Sequence, residues 1–269
     1  MLEKVDLSRA FTKEEAEPKL KKLQERLRIL QQAALAAPIA VTLVLEGWDS
    51  AGKGTLVQKL VERLDPRGFK VRTTHAALEE ELYRPWLWRF WMKLPAYGEI
   101  VVFDRSWYGR VGIERVEKLA RKDEVERAYQ EINDFERALT DDGQVLVKCF
   151  LHITKKEQRR RFDKAEDDFK TRWKIQPEDW RRHGQYAEYH RVYEEMLERT
   201  STTDAPWTVI EAMDKRWATV AVFTALVDAM EKQLKSIGKL PGATKLSQVI
   251  AKPPKPKPSA KPAQKKGAA

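Results

Sequence analysis

One run constrains this chain more than any other. Gly47-Trp-Asp-Ser-Ala-Gly52-Lys53 fits G-x-x-x-x-G-K and follows the strand-sized apolar stretch Ile39-Ala-Val-Thr-Leu-Val-Leu45. A buried strand that ends in a glycine turn and opens a helix can wrap backbone N–H groups around a phosphate. The helix N-terminus adds positive dipole, and Lys53 reaches a terminal phosphate oxygen. Gly47, Gly52 and Gly54 let the backbone approach closely. The position after Lys53, where such turns usually carry a magnesium-binding hydroxyl, is Gly54, and Thr55 comes one residue later. Asp49 stands inside the turn, where a negative charge repels phosphate unless it holds a cation or orients an acceptor phosphate. An aspartate there also suits plain turn stabilisation through its own backbone.

The pattern around this turn predicts an α/β fold with a mainly parallel sheet flanked by helices. Leu20, Leu23, Leu27 and Leu30 step by three and four, which predicts a helix over residues 18–36 with Pro18 in its first turn and Pro38 stopping it. Strands are expected at residues 39–46, 71–75, 100–103, 145–153 and 207–210. Helices are expected from Lys53 to Leu64, over residues 79–93, through Val125, Ala128, Ile132, Phe135 and Leu139, as one long polar helix over 177–199, and through Val220 to Leu234. The division is a helical extension over residues 1–37, a main domain over 38–235 and a lysine-, proline- and alanine-rich tail over 236–269, expected to be disordered and solvated because it cannot bury an apolar face. The first helix serves either as a packing extension or as an oligomer contact.

Ile100-Val-Val-Phe-Asp104 places an aspartate at the carboxyl end of a buried strand, the edge where open α/β sheets bind ligands. Beside a phosphate-binding turn, Asp104 suits magnesium binding; it and Ser106 equally suit a helix cap. Arg105 follows and can neutralise charge on transferring phosphate oxygens. Arg110 and Arg115 fit surface pairing better. Residues 155–175 carry nine bases, among them Arg161, Lys164, Lys170, Arg172 and Lys174, against five acids. That density fits either a lid closing over phosphates or a solvated, internally paired helix. Trp173 and Trp180 read as anchors of this segment, and the four histidines have no metal-ligand spacing.

The net charge of +10 invites a nucleic-acid reading, but residues 236–269 hold eight lysines and no acid, leaving +2 for residues 1–235. A specific nucleic-acid partner is therefore not expected. One cysteine, Cys149, allows no internal disulfide and no cysteine-based zinc site. No apolar run approaches the ~20 residues of a membrane span, and the first residues lack a signal-peptide core, so the expectation is a soluble, cytoplasmic protein without a membrane partner.

The residues in hand resemble polyphosphate kinase family 2. The matching segments are Glu46-Gly-Trp-Asp-Ser-Ala-Gly-Lys-Gly54, Pro85-Trp-Leu-Trp-Arg-Phe-Trp91, Phe103-Asp-Arg-Ser-Trp-Tyr-Gly-Arg-Val111 and Glu131-Ile-Asn-Asp-Phe-Glu136, then Trp173-Lys-Ile175, Glu178-Asp-Trp180, Thr200-Ser-Thr202 and Ala205-Pro-Trp207. The likeness runs from about residue 20 to 235 and is nearest to the C-terminal half of tandem-domain polyphosphate:AMP phosphotransferases. It implies a P-loop kinase fold with a helical lid over 155–175. It also implies phosphoryl transfer between inorganic polyphosphate and a nucleotide, AMP before ADP or GDP, with Mg2+ and a homo-oligomeric assembly. By position, Asp49, Lys53, Asp104 and Arg105 fall on the family's catalytic residues, with Asp49 and Asp104 toward the metal. Gly47, Gly52, Gly54, Thr55, Arg161, Lys164, Lys170, Arg172 and Lys174 fall toward phosphate. Relatives usually carry an arginine where this chain has Ala165 and a lysine where it has Thr171; Lys164, Lys170 and Arg172 each lie one residue away. The alternatives are an ATP-dependent nucleoside or nucleotide kinase, and a non-catalytic module that binds polyanions or nucleotides.

Overall fold

The computed structural model of the chain describes residues 1–242. Five strands, β1 (Val41–Gly47), β2 (Phe69–Thr73), β3 (Ile100–Asp104), β4 (Val145–His152) and β5 (Trp207–Glu211), form one sheet in the order β2-β3-β1-β4-β5. Every pairing is parallel. β1, β3 and β4 are buried almost throughout, which is why their sequences are continuous apolar runs rather than alternating ones. β2 lies at the edge, half exposed, and starts two residues earlier than the apolar pattern indicated.

The helices are α1 (Lys13–Ala36), α2 (Lys53–Val61), α3 (Glu79–Leu82), α4 (Trp88–Trp91), α5 (Ile113–Val116), α6 (Lys122–Asp141), α7 (Lys155–Asp167), α8 (Pro177–Gly184), α9 (Tyr186–Thr200) and α10 (Lys215–Ser236). α1 begins five residues before the expected start, because Thr12 and Glu15 close a capping box that satisfies two backbone donors. Pro18 therefore lies in the second turn. α1 lies along α10 and sinks Leu27 and Leu30 into the same core as β1, so it packs as part of the body. α10 covers β4 and β5, while α6 packs on β4 and α9.

Two expected helices are broken. Residues 79–93 form the short α3 and α4, separated by Pro85, whose ring restricts the residue before it. Residues 177–199 split at Gln185 into α8 and α9. The segment after α7 runs through a single 3-10 turn, Arg172–Lys174. Phe162 on α7 meets Trp180 on α8 edge-on, with ring centroids 5.2 Å apart, and Trp180 donates to Glu166. Trp180 thus anchors the segment as expected. Trp173 does not: it is 68% exposed, and its indole bonds only the nearby carbonyl of Lys170. The tail's expected solvation beyond residue 242 lies outside the described residues.

Candidate active site

β1 lies between β3 and β4, so the turns that leave β1 and β3 emerge side by side. Leu45 is in register with Asp104, and Gly47 with Leu151. A Cβ on Gly47 would stand 2.3 Å from the Leu151 carbonyl oxygen, and its φ is +128°; no other residue type fits there. Gly52, with φ of +111°, turns the chain into α2. Gly54 and Thr55 are exposed on the first turn of α2, and a Cβ on Gly54 would meet nothing within 4 Å.

Lys53 bends back over the loop it ends. Its ammonium donates to the carbonyls of Gly47 at 2.8 Å and Trp48 at 3.0 Å. Burial first, and then the Arg105 charge, lower its pKa, against the pull of Asp49, Asp104 and Glu46. Two supports hold the loop from outside. Arg161 on α7 donates to Ser50, Ala51, Ala212 and Met213 carbonyls and to Glu157, five hydrogen bonds of 2.6–3.0 Å. A guanidinium has five N–H donors, so Arg161 is saturated beneath the loop, and its expected contact with phosphate gives way to a supporting role. Trp48 stacks on Tyr186, centroids 3.9 Å apart, and its indole N–H donates to His152 Nδ1 at 2.9 Å.

Asp49 projects from the loop between two arginines. It pairs directly with Arg105, and Arg182 Nη1 lies 3.8 Å from its other oxygen. Arg105 has φ of +62°, a conformation that costs a non-glycine residue energy. Its backbone is pinned at both ends: its N–H donates to Leu45, and its carbonyl accepts from Thr74 Oγ1 at 2.7 Å. Burial lowers the Arg105 pKa, but Asp49, Tyr193, Glu46 and Asp104 outweigh it and the net direction is up. Arg105 is therefore a fixed cation. Glu46, at the end of β1, accepts from both the N–H and the hydroxyl of Ser106 at 2.8 Å and locks the turn that follows Arg105. Burial raises its pKa, against Ser106 and Lys53.

The cleft between these turns is lined by Asp49, Arg105, Arg182, Tyr189, Tyr193 and Ile113. Among the described residues no three His, Cys, Asp or Glu side chains cluster as a metal site. Magnesium keeps waters and phosphate oxygens and needs only one or two carboxylates. Asp49 and Asp104 are the two carboxylates that could serve: both act on the charges of Lys53 and Arg105, and the Asp104 carboxylate makes no hydrogen bond or ion pair among the described residues. The donor set fits the ion.

The structure brings together Gly47, Asp49, Gly52, Lys53, Asp104 and Arg105. It leaves Lys164, Lys170, Arg172 and Lys174 exposed and outside the cleft lining. Arg110 and Arg115 pair with Glu114 and Glu195, the surface role expected of them. Residue reasoning overlooked Glu46, Trp48 and Arg182. Glu46 had a signal, a carboxylate closing an otherwise apolar strand; Arg182 had none among its charged neighbours.

A family description, Polyphosphate kinase 2 (PPK2), matches residues 10–237. A polyphosphate:AMP phosphotransferase of Pseudomonas syringae pv. tomato is 42% identical over 232 residues, covering 86% of this chain and 47% of that protein. An ADP-polyphosphate phosphotransferase 3 of Rhizobium meliloti is 36% identical, over 75% of this chain and 71% of its own length. The crystal structure of a polyphosphate kinase 2 from Arthrobacter aurescens superposes with a TM-score of 0.84 at 35% identity, covering 91% of this chain and 88% of that one. The chain thus spans about half the length of the Pseudomonas relative it matches.

Proposed function

The chain belongs to the polyphosphate kinase 2 family, and from that premise we propose that it transfers a phosphoryl group between inorganic polyphosphate and a nucleotide, with AMP the preferred acceptor. The observation that carries this reading is the Asp49–Arg105 pair at the mouth of the phosphate-binding turn, with Asp104 beside it. A cation pinned by its backbone and two carboxylates at one strand edge match the charge demands of phosphoryl transfer, which needs positioning and charge compensation rather than a covalent nucleophile. The choice of AMP is supported by the higher identity to the relative named for AMP, 42%, than to the one named for ADP, 36%.

Lys53 and the N–H groups of residues 47–54 receive donor phosphate oxygens, the lysine exchanging its contacts with Gly47 and Trp48 for them. Arg105 stabilises charge on the group in flight. Asp49 and Asp104 would hold magnesium, which would supply positive charge to offset that of the phosphates. The exposed bases Lys164, Lys170, Arg172 and Lys174 close over the polyanion as a lid.

Nucleotide chromatography after incubation with magnesium, long-chain polyphosphate and AMP tests the reading. An ADP peak is expected, reduced at least about 100-fold in Lys53→Ala, the order seen when one transition-state donor is removed. ADP formation from ATP and AMP with none from polyphosphate would overturn it.

A further inference from the structure

The cleft holds a second arginine that the proposed reaction has not used. Arg182 is carried on α8, its side chain 19% exposed, and it lines the cleft together with Arg105. Its Nε–H donates to Glu117 at 2.8 Å, a charge-assisted bond of ordinary length. Glu117 is held in turn by Arg181 at 2.7 Å and by the Tyr189 hydroxyl at 3.3 Å. The far side of the guanidinium is held loosely. Nη1 lies 3.8 Å from Asp49 and 3.9 Å from Asp179, both beyond hydrogen-bonding distance.

One edge of the fork is therefore fixed by a half-buried carboxylate, and the other has donors to spare among the described residues. Planar guanidinium donors match pairs of phosphate oxygens, and a fork anchored at Nε loses little freedom on binding. Tyr189, Tyr193 and Ile113 line the same cleft and add aromatic and apolar surface of the kind a nucleotide packs on. α8 is also tied to the loop. His183 Nδ1 lies 2.8 Å from Gln158 Oε1, and Gln158 donates to the Asp49 carbonyl at 3.3 Å. The bases of the α7–α8 connection stay exposed, so Arg182 is the cation from this side that lines the cleft among the described residues.

We infer that Arg182 binds the phosphate of the acceptor nucleotide, exchanging its loose contact with Asp49 for the incoming phosphate oxygens while Glu117 holds it in place. The inference rests on the proposed nucleotide phosphotransfer and adds the residue that sets acceptor affinity.

Calorimetric binding of AMP, which needs no turnover, is compared in the wild type, Arg182→Ala, Arg182→Lys and Glu117→Gln, with thermal melts to confirm folding. At least tenfold weaker AMP binding is expected in Arg182→Ala, with partial recovery in Arg182→Lys, where the charge remains and the fork is lost. Glu117→Gln, which only loosens the anchor, should weaken binding about threefold. In turnover assays the KM for AMP should rise in Arg182→Ala while the KM for polyphosphate stays within twofold. AMP affinity within twofold of wild type in both Arg182 variants overturns the inference, as does a wild type that does not bind AMP. A wild type that binds AMP and makes no ADP from polyphosphate sinks the proposed reaction alone, and the binding ratios still decide the role of Arg182.

Discussion

At the scale of single residues, the loop is held by groups whose protonation the fold itself sets. His152 is 4% exposed on β4; burial first, and then the neighbouring His190, push its pKa down to about 4. The Trp48 indole N–H donates to its Nδ1, which requires a neutral ring with its lone pair there. A base whose folded pKa lies below its unfolded value of about 6.5 stabilises the native state above that pH, and the contribution is lost as pH falls toward 4. The unfolded chain takes up the proton first, so stability falls on acidification by at most about 3 kcal/mol over that window. His152→Gln keeps a polar group at the site and removes the titration. Urea unfolding at several pH values between 6.5 and 4 should show a shallower loss of stability in the variant. Parallel curves for the two proteins would remove His152 as the cause.

Elements decide which of these residues meet. β4 carries Lys148, wholly buried, whose ammonium donates to Glu136 on α6 at 2.6 Å, to the Tyr108 hydroxyl at 2.9 Å and to the Thr200 carbonyl at 2.7 Å. Glu136 also accepts from Trp107 and Tyr108, the two residues that follow Ser106. Burial drives both charges toward their neutral forms, and mutual contact opposes it. A single substitution leaves one charge buried without its partner, so Glu136→Gln should cost about 3–5 kcal/mol in urea unfolding. Glu136→Gln with Lys148→Met should recover part of that loss. Fully additive losses in the double variant would show that the two do not act as a pair. This scale also separates what was legible in the chain from what was not. Apolar runs marked β1, β3 and β4 because strands buried on both faces have no polar side to mask them. The motif likewise marked Asp49, Lys53, Asp104 and Arg105, since each sits at a strand end or a loop position that spacing exposes. Contacts between distant segments left no such trace. Arg161 read as one lid base among nine, yet its carbonyl partners, 51 to 111 residues away, turn it under the loop. Nor did charge density reveal the break at Gln185, before which α8 carries Arg182 to the cleft.

For the whole molecule, the distribution of charge bears on how a long polyanion is met. Residues 1–235 carry a formal +2, and the remaining +8 belongs to residues 236–269. The phosphate-binding turn, Arg105, Asp104 and the cleft all lie within the five-stranded body, and α10 closes that body by Ser236. On the proposed reaction, chemistry and long-range attraction would then be divided along the chain. Removing residues 243–269 takes away seven lysines and none of the described residues that line the cleft. Turnover at saturating polyphosphate should stay within twofold of the full chain, because the transition-state contacts are unchanged. The KM for long-chain polyphosphate at low salt should rise severalfold, since lysines near a polyanion contribute through screened charge attraction. That difference should fade toward 1 M salt, where the screening length falls to about 3 Å. Steady-state kinetics of both chains across that salt range make the comparison. A fall in kcat of tenfold or more in the shortened chain would place part of the active site in the last residues.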